Sequence, residues 1–331
     1  MLKFKNKMEI TPWIAESHDG ATGNLAFENS LATIEKNGDL FAFLMPCTLG
    51  CAADGSVVDG SKKTGILKRL ADEKNLPLFP LLAGDHRIVN QIIHDRIIRH
   101  RHILQIAEYV NVNDFKGIDV DYEFLPLESR FAFTDFVKEL ADELHKSGRL
   151  LSIDLHPKVR PDDPWSIGAS AQDWRPLSQY ADIMHIMCYD QYHFAYTYND
   201  PGPVSTAAWT EAIIVYASSV IPSEKLVIGL PTYATDWNLN DKSKTINIFY
   251  NQVMELAGKY NAEIKLNEIM KQPYFHYCDE AKNEHEVWFE DAQSLSAKFD
   301  VIAKYPMRGL AFWALTLEDQ RIWNELRSRM V

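Results

Sequence analysis

Gly117-Ile118-Asp119-Val120-Asp121-Tyr122-Glu123 alternates between acidic and apolar side chains. A strand has a period of two, so Asp119, Asp121 and Glu123 project from one face while Ile118, Val120 and Tyr122 cover the other. Apolar groups on that second face imply a strand buried on both sides, as in a parallel sheet lined by helices. Carboxyl groups a few ångströms apart cannot all ionise freely. At least one is expected to hold its proton near neutral pH, which a general acid requires. Two other readings stand beside this one: the solvated face of an edge strand, and a hard-cation site of oxygen ligands. A strand presents its acids in a row instead of wrapping an ion, which ranks the cation site below the acid.

Outward from this run, short β-rich apolar segments alternate with helical ones along the whole chain. Strands are predicted at 9–13, 40–44, 78–82, 117–123, 150–156, 183–189, 226–231 and 308–313. Helical patterns fall at 87–109, 127–146, 206–220, 291–304 and 318–330. Such β-then-α alternation predicts an α/β fold, a (β/α)8 TIM barrel occupying residues 1–331 as one domain. A doubly wound open sheet is the alternative, weakened because no Gly-rich phosphate fingerprint opens any strand–helix turn. The stretch 236–306 is too long for one barrel connection. With strand-like runs at 274–277 and 286–289, it predicts a small α+β insertion between strands 7 and 8, packed on the barrel mouth.

Composition narrows the partners. The chain has 331 residues, 46% of them hydrophobic, enough for a sizeable core. A net charge of −12 disfavours nucleic acid or an anionic membrane as partner and suits a neutral or cationic ligand. No apolar run approaches a membrane span, and the basic start lacks the apolar stretch of a signal peptide, so the compartment stays open. Cys47, Cys51, Cys188 and Cys278 are too scattered for a disulfide framework and read as free thiols. No metal or cofactor is expected, and a monomer is.

In such barrels the reacting groups gather at the carboxyl ends of the strands. Glu123 then lies at the mouth, with Asp121 and Asp119 below it. On the sixth strand His185, Met187 and Tyr189 share a face, and Asp190 begins the loop. On the eighth, Gly309 and Ala311 precede Trp313 on one face, which predicts a cavity floored by an indole. An aromatic floor suits the apolar face of a pyranose, and neighbouring carboxylates suit its hydroxyls. Trp13, Phe43, Tyr122 and Trp237 lie near predicted strand ends, where lining a sugar subsite and core packing are both open. Asp154 and His156 share a face of the fifth strand and read as structural hydrogen-bonding groups, and Trp288 as an anchor of the insertion.

The run 115–123 resembles the signature strand of glycoside hydrolase family 18, the chitinases and endo-β-N-acetylglucosaminidases. Met187-Cys188-Tyr189-Asp190 resembles its Met-x-Tyr-Asp motif, Gly229-Leu230-Pro231-Thr232-Tyr233 its seventh strand, and Gly309 to Trp313 its eighth. His285-Glu286-Val287-Trp288-Phe289-Glu290-Asp291 is similar to the bacterial branch that includes spore-cortex-lytic glucosaminidases. One departure is Lys116, where the family usually has Asp before the Gly. By parity it faces the helices, implying an altered barrel base.

The resemblance implies retaining hydrolysis in which the substrate supplies its own nucleophile. Glu123 would be the acid and then the base. Asp121 would hold the acetamido N–H, Asp119 would share a proton with Asp121, and Tyr189 would donate to the acetamido carbonyl. Trp313 would floor the sugar, with Met187 beside it and Asp190 contacting the substrate. Tyr233 belongs to the same set of substrate-binding residues. The implied substrate is an oligo- or polysaccharide of β-1,4-linked N-acetylglucosamine, chitin or peptidoglycan. A non-catalytic, chitinase-like sugar-binding lectin is the alternative, and a metal-dependent hydrolase using the same acids is a third reading.

Overall fold

The computed structural model describes residues 2–15, 20–60, 63–161, 163, 168–192 and 200–330. Parallel strands Glu9–Ala15, Met45–Cys51, Leu81–Ala83, Gly117–Asp121, Leu150–Leu155, Ile183–Met187, Leu226–Pro231 and Gly309–Leu315 follow one another around a ring. The eighth strand pairs with the first, Gly309 beside Glu9, and closes the barrel. This is the α/β (β/α)8 TIM barrel that the alternation predicts.

The two faces of each strand feed two separate cores. Ile118, Val120, Leu151, Ile153, Ile186 and Phe312 pack outward under the helices. Trp13, Met45, Leu81, Ile183, Val227 and Ala311 fill the barrel interior. Interior packing is tight: a Cβ added at Gly229 would lie 3.1 Å from the Trp13 ring. Lys116, at the foot of the fourth strand, is exposed.

Several boundaries differ from the sequence reading. The second strand starts at Met45, because Gly38–Leu40 forms a 3-10 turn and Phe41 and Leu44 make only isolated bridges. The third starts at Leu81, since Pro77 and Pro80 have no N–H to give a ladder. The acidic strand ends at Asp121, so Glu123 lies just past it. The helix predicted over 87–109 is two helices, His86–His94 and Arg96–Val112. Asp95 separates them, its carboxylate accepting from Ile97 N–H at 2.9 Å and Ile98 N–H at 3.0 Å as the N-cap of the second.

Between the seventh and eighth strands lies an antiparallel sheet ordered Ile246–Ile248, Ala234–Asn238, Glu284–Phe289, Gln272–Cys278 and Lys265–Asn267. Helix Tyr250–Lys259 lies beside it, and Ala234, Val253, Phe275, Val287 and Phe289 share a small core. Its exit is tied down by a buried ion pair: Lys298 Nζ donates to Glu290 at 2.8 and 2.9 Å. Gln272 Nε2 donates to the same carboxylate at 3.1 Å. Among the described residues, no helix is long and apolar enough to cross a membrane.

Candidate active site

Barrel closure sets the acids at successive heights. Asp119 is in register with Leu81 and Ser152, and Asp121 with Ala83. Asp154, on the fifth strand, is in register with His185 on the sixth. Asp119 and Asp154 are buried, while the Glu123 side chain keeps 30% of its surface open at the mouth. Trp13 Nε1–H donates to Asp119 Oδ2 at 3.0 Å from across the barrel. The Glu123 carboxylate lies 3.3 Å from His156 Nε2, which also accepts the Phe124 N–H at 3.3 Å.

Burial dominates the electrostatics. It pushes the Asp121 carboxyl well above the usual range, with the charges of Glu123 and Asp119 adding to the effect. Glu123 is pushed up to about 7, first by burial and then by the charge of Asp190. Asp154 is raised by burial and then by Asp119, Asp121 and Glu123. Burial also raises the Tyr189 hydroxyl, helped by Asp154 and Asp121. His156 is pushed down to about 3 by burial and by Lys158, so it is neutral and free to accept the Phe124 N–H. The result is a proton-bearing acid at the mouth above shielded carboxyl groups, the arrangement a general acid needs.

The rim comes from the ends of the sixth, seventh and eighth strands. Tyr189 meets Tyr233 edge-on at 6.4 Å between ring centroids, and Trp313 meets Trp13 at 6.1 Å. Tyr233 Oη donates to Asp190. Phe124 and Asp190 both take left-handed backbone, φ 55° and 59°, each costing roughly 1–3 kcal/mol for a residue with a side chain. These bends turn the chain sharply right after Glu123 and right after Tyr189. A cavity of ≈ 360 Å³ lies here, lined by Asp190, Tyr233, Trp313, Asn247, Phe249 and Gln252. A larger one, ≈ 900 Å³, is lined by Glu9, Asp39, Phe41 and Arg308 at the opposite end of the barrel; neither lining includes Asp119, Asp121, Glu123 or Asp154.

Not every residue singled out in the sequence reaches this rim. Tyr122 is fully buried on the helix side, where its hydroxyl pairs with His102 Nε2 at 2.5 Å and its ring stacks on Phe136. The strand alternation that turns the acids inward turns Tyr122 outward, so it lines no sugar subsite. Phe43 precedes the second strand and packs on Phe79 at 4.2 Å low in the barrel. Its strand begins at Met45, five residues later than expected, which drops Phe43 from the mouth to the floor. Trp237 is buried in the insertion sheet, its N–H donated to Gly202 O at 3.1 Å. Met187 is buried beside the rim residues.

Two side chains gain weight from the structure. Asp154 lies among the acids, and only its parity on the fifth strand hinted at that. Gln172 gave no signal in the sequence. Its Nε2 donates to Tyr122 O and Asp154 O at 3.3 Å each, and its Oε1 accepts His156 N–H at 2.7 Å. It thereby clamps the fourth and fifth strands where their ladder ends.

Among the described residues, one cluster, Asp119, Asp154 and His185, has ligand atoms within 4.8 Å of one another. The donor chemistry does not favour a cation there. Both His185 ring nitrogens already face hydroxyls, Ser152 Oγ at 2.9 Å and Thr11 Oγ1 at 3.2 Å, so no ring lone pair is left for an ion.

The family Glycosyl hydrolases family 18 matches residues 53–318. The Bacillus subtilis (strain 168) cortical fragment-lytic enzyme is 30% identical over 91% of this chain and 70% of its own length. The chain covers 54% of another B. subtilis protein, YdhD, a glycosylase by name, at 31% identity over 70% of this chain. The Bacillus megaterium QM B1551 spore cortex-lytic enzyme SleL superposes with TM-score 0.85 at 26% identity, covering 99% of this chain and 75% of that one. A chitinase from Chromobacterium violaceum ATCC 12472 shares the fold at TM-score 0.85 and 21% identity, covering 97% and 98%.

Proposed function

This chain belongs to glycosyl hydrolases family 18, and from that premise we propose that it hydrolyses β-1,4-linked N-acetylglucosamine glycans with retention, by substrate assistance. The observation that carries the reading is Glu123: a half-open carboxyl at the barrel mouth whose proton is held up to about 7.

In this mechanism the acetamido carbonyl oxygen of the substrate attacks C1 while Glu123 passes its proton to the glycosidic oxygen. The C1–O bond breaks, and the leaving sugar departs with that proton. Asp121 takes the acetamido N–H and faces the positive charge of the oxazolinium ring, with Asp119 beneath it. The Tyr189 hydroxyl gives a hydrogen bond to the acetamido oxygen, a task suited to a phenol that stays neutral. Water then adds to C1, gives its proton to Glu123, and reopens the ring. Trp313 floors the sugar, Met187 lies beside it, and Asp190 and Tyr233 contact its hydroxyls. A plain glucan has no acetamido nucleophile and is not a substrate.

Chitin and peptidoglycan both carry the required group. Relatives named as cortex-lytic and cortical fragment-lytic enzymes favour peptidoglycan fragments. The test is Glu123→Gln assayed on a chitobiose reporter: turnover falls by about 10²-fold or more while binding persists, as expected for loss of a general acid. Unaltered hydrolysis by that variant ends the proposal. Digesting chitin oligomers and muropeptides side by side, with product masses, then assigns the polymer.

A further inference from the structure

Strand register brings a fourth carboxyl group, Asp154, into the barrel interior. It faces Asp119 and Asp121 on the fourth strand, Glu123 above them, and His185 and Tyr189 on the sixth. Among the described residues, no N–H or hydroxyl reaches Asp119 Oδ1 or Asp154 Oδ1, although both atoms are buried. His185 Nδ1 stands off from them at 3.5 and 3.4 Å, its own bond going to Ser152 Oγ at 2.9 Å. A carboxyl oxygen of Asp154 and one of Asp119 lie within 4.8 Å of each other, and two carboxyl groups so placed can hydrogen-bond only if one of them carries a proton. A single proton therefore satisfies two otherwise orphaned buried oxygens.

We propose that Asp154 is a positioning residue that keeps this proton and donates it to Asp119 Oδ1. With Trp13 N–H on Oδ2, Asp119 then has a donor on each oxygen. Asp121 is no longer needed as the donor to Asp119, so it is free to turn towards Glu123 and the substrate's acetamido group. Burial and three neighbouring acids keep Asp154 protonated, consistent with this role. The consequence for catalysis rests on the function proposed above. The shared proton itself does not, and the two are tested by separate readouts.

The first readout is unfolding stability against pH between 5 and 8, which needs no substrate. Asp154 is protonated in the folded chain and ionised in the unfolded one over this window, so folding takes up a proton and stability falls as pH rises. Asp154→Asn removes that group and is expected to flatten the slope by about one proton. The second readout is kcat against KM. The Asn amide can donate as the acid does, so Asp154→Asn rescues kcat to within about threefold, whereas Asp154→Ala lowers it by about 10- to 100-fold with KM little moved. An unaltered stability slope in Asp154→Asn overturns the shared proton. A flattened slope with kcat lost equally in Asn and Ala variants overturns the donor role. Stoichiometric metal in the purified protein, absent from Asp154→Asn, also overturns the proposal. If the reporter is not cleaved at all, the function fails while the stability slope still decides the proton.

Discussion

Trp13→Phe probes how far the barrel floor supports the acids. In the folded protein the indole is fully buried and its N–H donates to Asp119 Oδ2 at 3.0 Å. Phenylalanine keeps an aromatic body but removes that N–H from the buried carboxyl oxygen Asp119 Oδ2. A hydrogen bond to a charged acceptor contributes roughly 1.5–3 kcal/mol. The void left by half an indole adds roughly 1 kcal/mol, because neighbours this tightly packed collapse poorly. The expected loss is therefore about 2.5–4 kcal/mol of unfolding free energy, measured by urea titration with fluorescence and circular dichroism. A double-mutant cycle with Asp119→Ala separates the two parts. The void is common to both sides of the cycle, while the bond appears as a coupling of about 1.5–3 kcal/mol. A coupling below about 0.5 kcal/mol would mean that the indole acts as filler alone and that its N–H does not support Asp119.

Other outcomes follow from the same site. With its proton held up to about 7, Glu123 donates below that pH and not above it, so kcat/KM should fall through an alkaline limb near pH 7. Asp190→Asn removes the second cause of the shift and should move that limb to lower pH; activity still rising through pH 8 in the parent would contradict the assignment. The stability due to Glu123 has the same sign: its folded proton affinity is raised from 4.5, so that contribution is complete below 4.5 and is lost as pH rises through about 7. Gln172→Leu strips donors from Tyr122 O and Asp154 O and an acceptor from His156 N–H, for a loss of roughly 2–4 kcal/mol by chemical denaturation. Because this clamp sits just below Glu123, kcat should fall with it; a stability change under about 1 kcal/mol would show the bonds to be replaceable by water.

Much of the fold was legible from local pattern. The period-two alternation of Ile118 to Glu123 decided which groups face inward, and the parity of His185, Met187 and Tyr189 did the same on the sixth strand. Segments whose own chemistry conflicts with regular structure were misplaced. Pro77 and Pro80 delayed the third strand, the turn at Gly38–Leu40 delayed the second, and Asp95 split a helix whose periodicity looked continuous. The insertion was located by its length and by two aromatic-rich runs. Its remaining strands, such as Ile246–Ile248 and Lys265–Asn267, are too short to leave a period.

Spacing along the chain sets the order of the strands and the face on which each side chain lies. Only the closed barrel decided which inward groups meet. Asp154 joins Asp119 across thirty-five residues of chain, and Trp13 reaches Asp119 across more than a hundred. The height of each strand in the ring, not its local period, brings those pairs together. Register between strands is a property of the assembled sheet, and the proton economy of the site depends on it.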